Sequence, residues 1–595
     1  MMRTHRFAAW FALSLAACSA STAHGPLTGP VAMSSAAAPL PSAQEIALRE
    51  QTADQQIRQA LDRLTFGARP GDYEHVRAMG VDAWIAMQLD PERIDDRATE
   101  AFVSRNFPTL SMSPRDLVAE APPPAAILAA ARREARRGGS GTDTAAPHLS
   151  AKDSLALQRA RRAARRMIGD LQAAKIVRAE MSERQLQEVM VDFWENHFSI
   201  FAGKGSERYF LAAFDRDVIR PHALGKFRDL LGAVATSPAM LFYLDNWESS
   251  VEPGRQSLAT RAASRARRPA FARRGVLFPV RRPAPPAAPT AAARPRGLNE
   301  NYGRELLELH TLGVDGGYQQ SDVIAAARAL TGWSIDRPRN GGGFVFRPVM
   351  HDAGEKQFLG HTLRAGRGIE DGEEVLDIVA RSPATARFIA TKLARRFVSD
   401  SPPPALVDRA ADTFTRTGGD IRETLRTILT SPEFFSRSAY HAKVKSPFEL
   451  VVSALRVVNA RADDTPRTAQ AIARLGQPLY LHRDPNGYPE TGDAWINTGA
   501  ILDRINFGLA LARGQLPGVD LAAWGHAGGL DTLSGSARVD AVIRAVLGGE
   551  ASPDTRKVLE SGVNPMVQGT GNGERGTGLR QLIGLALGAP EFQRH

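Results

Sequence analysis

FRDLLGAVATSPAM at residues 227–240, IRETLRTILTSPEF at 421–434 and LRQLIGLALGAPEF at 579–592 align without a gap. Each opens apolar-Arg, carries apolar residues at helical spacing, and ends Ser/Ala-Pro-x-Met/Phe. That period makes each segment an amphipathic helix. The residue before proline disfavours the α conformation, so the helices stop ahead of Pro238, Pro432 and Pro590. The Met or Phe two residues beyond each proline is placed to fold back onto a core. Starts 194 and 158 residues apart are too far for a solenoid period. Recurring helix ends in one bundle fit, whether they are relics of duplication or chance likenesses between amphipathic helices.

The same pattern extends outward from these three segments. Residues 46–118, 151–248, 371–460 and 497–595 are mostly helical in pattern, and helix resumes near Asn299. Residues 341–367, GGGFVFRPVMHDAGEKQFLGHTLRAGR, hold short Gly-bounded apolar runs that predict a small β-hairpin. Residues 121–150 are Pro/Ala-rich, then Gly/Ser-rich, and 249–297 are Pro/Ala/Arg-rich. Both have little to bury and read as disordered insertions. The expected fold class is mainly α: a single large helical domain over 46–595, interrupted at 121–150 and 249–297.

The start of the chain reads as an address. In MMRTHRFAAWFALSLAAC, Arg3 and Arg6 precede an apolar run, Phe7–Ala17, too short to span a bilayer. Leu15-Ala16-Ala17-Cys18 resembles the lipobox of bacterial lipoprotein signals, and Cys18 is the only cysteine in 595 residues. The expectation is a signal peptide at 1–17, a lipidated (palmitate-carrying) Cys18 as membrane anchor, and a flexible tether at 18–45. An ordinary secretory signal containing a cysteine is the alternative. A single thiol excludes an internal disulfide framework. By resemblance to Gram-negative lipoprotein sorting, Ser19 in place of Asp favours the outer membrane, facing the periplasm.

Charge narrows the partners. The chain carries a net +11, but residues 251–297 hold +10, 121–166 hold +7 and the first 17 hold +2. The remainder is therefore acidic, and nucleic acid is not an expected partner. The Arg-rich stretch reads first as a solvated loop, with contact to anionic lipid as the other reading.

Several segments resemble the bacterial "domain of unknown function 1800" family: LDRLTFGARPGDYEHVRAMGVDAWIAMQL near the start, VDFWENHFSIF (191–201), NENYGRELLELHTLGVDGGYQQSDVIAAARALTGW (299–333), HDAGEKQFLG (351–360) and DPNGYPETGDAWINTGAILDRINFGLAL (484–511). The resemblance covers roughly 58–595. It departs at the Arg-rich insertion and at Arg483-Asp484-Pro485, where a Pro-Pro pair is expected. It implies little chemistry. It does imply an exported, sulfatase-like partner, because members often stand beside such proteins.

The motifs can be weighed one at a time. In VDFWENHFSIF, Met190, Phe193, Trp194, His197 and Phe201 form one stripe, with Asp192, Glu195 and Ser199 on another face. His197 is a core histidine or, alternatively, a binding group on the floor of an apolar pocket. Asn301, Arg304, Glu305 and Glu308 share a helix face, either a salt-bridged surface or an acid/base and cation-binding one. His351, Asp352 and Lys356 fall in a loop or hairpin by their turn-rich sequence, with Lys356 in water on the plain reading. His482, Asp484, Asn486 and Tyr488 fall in another, rich in turn chemistry. No P-loop, Gly-x-Ser-x-Gly elbow, His-Glu-x-x-His helix or Cys-based zinc spacing occurs. Two functions stay open. One is an envelope binding or assembly factor, with His197, Asn301, Arg304, Lys356, Asp484 and Tyr488 as binding candidates. The other is a metal-assisted hydrolase using a divalent metal, with Glu305, Glu308, His351, Asp352 and His482 as catalytic candidates.

Overall fold

The three related segments fold as predicted, into helices Phe227–Thr236, Ile421–Leu429 and Leu579–Leu587. Met240, Phe434 and Phe592 beyond their prolines are all buried. The computed structural model describes residues 41–137, 150–266, 297–562 and 578–595. The signal at 1–17, Cys18, the tether up to residue 40, and the 138–149 and 267–296 parts of the two insertions lie outside the described residues.

Residues Pro41–His595 cluster as one unit. One hydrophobic core runs through it from Ile57 to Phe592, with a small satellite around Leu117, Met167 and Tyr209. Caps set the helix starts. Thr52 and Gln55 make a reciprocal capping box for Ala53–Leu64, and Ser446 and Glu449 make another for Pro447–Val457. Ser150 caps the long helix Ala151–Met181, which packs against Gln185–His197 and Pro447–Val457. These contacts bring the first third of the chain against its C-terminal third. No helix among the described residues is long and apolar enough to cross a membrane.

Among the described residues, the strands form two antiparallel pairs. β1 (Trp333–Ile335) pairs with β2 (Phe344–Phe346), Trp333 opposite Phe346. β3 (Lys356–Phe358) pairs with β4 (His361–Leu363), Lys356 opposite Leu363. The hairpin expected at 341–367 is thus two pairs, the first of which borrows β1 from the preceding motif. Leu359 and Gly360, both at positive φ, form the two-residue β3–β4 turn.

Two expectations need correction. Within 121–150, residues Pro124–Arg137 form a helix, and within 249–297, Leu258–Ala266 form another. Both are rich in Ala and Arg, strong helix formers that a low-complexity composition conceals. The 299–333 motif also holds an irregularity. Helix Glu300–Glu305 passes into a π-helical turn, Leu306–Thr311, closed by Thr311 Oγ1 donating to the Leu306 carbonyl at 2.6 Å. The wider turn changes the phase of everything after Glu305.

Candidate functional site

Helix Gln185–His197 presents two unlike faces. Met190, Phe193, Trp194 and His197 are buried, and Trp194 Nε1 donates to the Ala223 carbonyl at 2.9 Å. His197 Nε2 lies 3.1 Å from the His310 carbonyl, and its Nδ1 lies 3.0 Å from Lys392 Nζ. Burial, reinforced by the nearby Lys392 charge, holds the His197 pKa well below the usual imidazole value. The ring is therefore neutral, with Nε2–H donating to His310 and Nδ1 accepting from Lys392. Burial likewise depresses His310 to about 3. His197 is a satisfied core histidine.

The opposite face, Asp192, Glu195, Asn196 and Ser199, lines a small cleft of about 70 Å³. Across it stands the loop that carries His482, Tyr488 and Trp495. Asn196 fixes this loop. Its Nδ2 donates to the Tyr488 carbonyl at 2.9 Å and to Glu490 Oε1 at 3.1 Å, and its Oδ1 accepts from the Tyr488 amide at 2.7 Å. Gly487 makes the approach possible: it sits at φ +72°, and a Cβ there would overlap the Asn196 carbonyl oxygen.

The cleft walls are charged but internally matched. Lys175 Nζ lies 2.7 Å from Asp192 and 2.6 Å from Glu195, and the Tyr480 hydroxyl donates to Glu195 at 3.0 Å. Burial disfavours the charge on Lys175, but the two carboxylates outweigh it and raise its pKa. Burial raises Glu195 to about 7, with Lys175 opposing. Arg396 pairs with Glu449 at 2.5 Å, while Lys443 pairs with Asp400 and donates to the Glu490 carbonyl. Burial works against the Glu449 charge, yet Arg396 and His595 hold its carboxyl down at about 2.

At the rim the chemistry changes. The His482 and Tyr488 rings lie 4.5 Å apart, and Tyr488 and Trp495 6.0 Å apart. Tyr488 is anchored by its hydroxyl donating to the Pro478 carbonyl at 2.8 Å, and Trp495 Nε1 donates to the Pro489 carbonyl at 3.2 Å. Leu481 and Ile496 beside this row are exposed. Self-neutralised walls have little charge to offer an ion. A row of fixed aromatic faces offers stacking and apolar contact.

The remaining candidates occupy separate settings. Asp484 and Glu305 both flank Tyr243, whose hydroxyl donates to the Arg483 carbonyl at 2.6 Å and whose pKa burial and those acids raise. Burial and the neighbouring Glu308 raise Glu305. Arg304 donates to Gln320 at 2.9 Å, and the Asn301 amide donates to Asn299, the helix cap.

His351, Asp352 and Lys356 form a buried polar knot. Asp352 accepts from Arg328 Nε at 2.8 Å and from the Gly354 amide at 2.7 Å. Lys356 Nζ donates to Asp371 at 2.6 Å and to the Asp352 and Gly354 carbonyls. His351 Nδ1 donates to the Thr331 carbonyl at 2.8 Å, and its Nε2 stands 3.4 Å from Asp371. Lys356 is 1% exposed, not in water as its loop position suggests.

The catalytic candidates thus split between the Tyr243 surroundings, this knot and the cleft rim. Among the described residues no three His, Cys, Asp or Glu side chains gather to hold a metal ion, so the residues present do not fit the divalent metal. Sequence reading separated the Asp192/Glu195/Ser199 face correctly but gave it no role. It missed Lys175, Arg396, Lys443 and Tyr480, which reach the cleft from other helices and loops.

No curated protein and no solved structure matches this chain. Residues 59–594 match the family described as "Protein of unknown function (DUF1800)". A match spanning the cleft, the knot and the core from end to end places the chain in the DUF1800 family.

Proposed function

We propose that this chain is an exported, lipid-anchored envelope protein that acts as a binding or assembly factor and reads its ligand at the aromatic-rimmed cleft. The observation that supports this reading is the His482–Tyr488–Trp495 row, held on a loop that Asn196 locks to a buried helix. Fixed aromatics lose little conformational entropy on binding and supply much of the affinity where they anchor an interface. Charges already paired within the cleft exclude unmatched charged groups and favour a neutral or apolar segment. The anchor is Cys18, and the partner is an exported protein, for which the family resemblance suggests a sulfatase-like chain.

The test compares full-length protein with Trp495→Ala and Tyr488→Ala in pulldowns from envelope membranes. A partner retained by the parent and lost from both variants supports the cleft. Equal recovery by all three refutes it, and no specific partner refutes the binding role. Labelled palmitate incorporated by the parent and not by Cys18→Ala supports the anchor; equal labelling overturns it.

A further inference from the structure

A second cleft lies on another part of the unit, between helix Ala53–Leu64, the second half of helix Pro447–Val457 and the C-terminal residues. It is open to solvent, about 380 Å³, and among its lining residues are Lys445 and Ser453. We propose that Ser453 is a nucleophile and Lys445 its general base, and that this cleft hydrolyses acyl esters bearing an anionic group.

The geometry is that of a serine–lysine pair. Lys445 Nζ lies 2.9 Å from Ser453 Oγ, and the two residues are 6% and 3% exposed. Nucleophile and base at hydrogen-bond distance in a desolvated setting is the arrangement that activates a hydroxyl. The pair is rigidly mounted. The Lys445 amide donates to the Gln593 carbonyl at 3.0 Å, and its carbonyl accepts from Arg504 at 2.8 Å. Ser453 sits within helix Pro447–Val457.

The setting of this lysine differs from that of two other buried lysines. Lys356 and Lys443 each meet an aspartate at ion-pair distance. Lys445 meets a hydroxyl, and among the described residues it takes part in no ion pair. The Phe592 ring centroid lies 4.2 Å from its Nζ. Burial lowers the amine's pKa, aided by Arg504, while Asp62 and Glu449 pull it back. His441 and His595 also face it, and burial depresses both. Phe592, Asp62 and Glu449 then favour the ammonium that forms as Lys445 takes the serine proton.

Gly67 lets its backbone pack directly against Ser453. It sits at φ +107°, and a Cβ there would stand 3.0 Å from Ser453 Cβ and Oγ. Any larger residue crowds the approach to Oγ. The charges around the opening set the substrate class. Arg58, Arg69, Arg544 and Arg594 line it together with Asp62, Glu74 and Glu591; Arg58 pairs with Glu550 and Arg69 with Glu183, while Arg544 and Arg594 enter no ion pair among the described residues. An ester with a carboxylate or phosphate on its acyl side fits that lining.

The step balances. Ser453 Oγ attacks the ester carbonyl carbon as its proton passes to Lys445 Nζ. The carbon–oxygen bond to the leaving alcohol breaks, and Lys445 returns the proton to that oxygen. Water then attacks the acyl-serine, Lys445 accepts its proton, and the acid departs as the proton returns to Ser453 Oγ. The net reaction is ester plus water to acid plus alcohol.

The test uses the purified full chain with p-nitrophenyl hydrogen succinate, the uncharged p-nitrophenyl propionate, and diisopropyl fluorophosphate. The expected results are hydrolysis that favours the anionic ester and a diisopropylphosphorylated peptide that contains Ser453. Ser453→Ala and Lys445→Arg should each lose about a hundredfold or more in rate, with the circular dichroism unchanged. Lys445→Arg keeps the charge and removes the base, so it separates catalysis from anion binding. Undiminished hydrolysis by Ser453→Ala, or parent protein with Ser453 unlabelled, overturns the proposal. The labelling result stands even if a variant does not fold.

Discussion

Asn196 holds both backbone polar groups of Tyr488, accepting from its amide at 2.7 Å and donating to its carbonyl at 2.9 Å. One side chain thereby replaces the strand partner that this loop lacks. Asn196→Ala leaves a part-buried amide and carbonyl without partners, at about 1–3 kcal/mol. The expected outcome is faster hydrogen exchange confined to the loop around residues 482–495 and a lower melting temperature. Exchange unchanged in that loop would show that Asn196 does not hold it.

Gly487→Ala attacks the same contact from the other side. A positive φ alone disfavours alanine by about 1 kcal/mol, and here the added methyl also meets the Asn196 carbonyl. Both variants release the same loop, so the double substitution should destabilise less than the sum of the singles. Denaturant midpoints of the four proteins measure this; strict additivity contradicts it.

The buried pair Lys356–Asp371 calls for a different comparison. Removing one partner strands a charge, and Lys356→Met should lose about 3–5 kcal/mol. The double variant Lys356→Met/Asp371→Leu should recover part of that loss. The recovery will be incomplete, because Asp371 also faces His351 at 3.4 Å and Arg367 at 3.3 Å. Urea unfolding of the parent, single and double variants tests the order; a double variant weaker than the single refutes it.

Glu180 makes stability depend on pH. It is 3% exposed, and burial raises its carboxyl to about 7, with Arg69 and Arg456 partly opposing. In the unfolded chain a glutamate ionises near ~4.3. Between those values the folded state holds a proton that the unfolded state has released, so stability falls as pH rises through this window. The loss amounts to about 3 kcal/mol by pH 7. Glu180→Gln should match the parent near pH 4 and exceed it near pH 8. Melting curves at both pH values decide; equal differences at both refute the assignment.

Much of the architecture could be read because periodicity and proline carry it. The three related helices, their ends and the inward-folded Met240, Phe434 and Phe592 all follow from local sequence. So does the division of helix Gln185–His197 into two faces. The Pro124–Arg137 and Leu258–Ala266 helices were obscured because alanine and arginine serve helix and linker alike. The sites were harder to read because their partners are remote in sequence. Lys356 looks like a surface residue until the helix bearing Asp371 closes over it. Lys175, Arg396 and Tyr480 carry no motif, and only tertiary packing gathers them beside Glu195 and Asn196. Lys445 and Ser453 are only eight residues apart, but Lys445 precedes the helix that carries Ser453, so helical spacing does not reveal the contact.

The bond from Asn196 to Tyr488 spans 292 residues of sequence. A ribosome adding about 5–20 residues per second takes roughly 15–60 s to make that interval. Throughout that time the polar face of helix Gln185–His197 has been made and the loop that covers it has not. The cleft is therefore late by construction, and a ligand that needs both walls meets only chains whose synthesis has passed the loop.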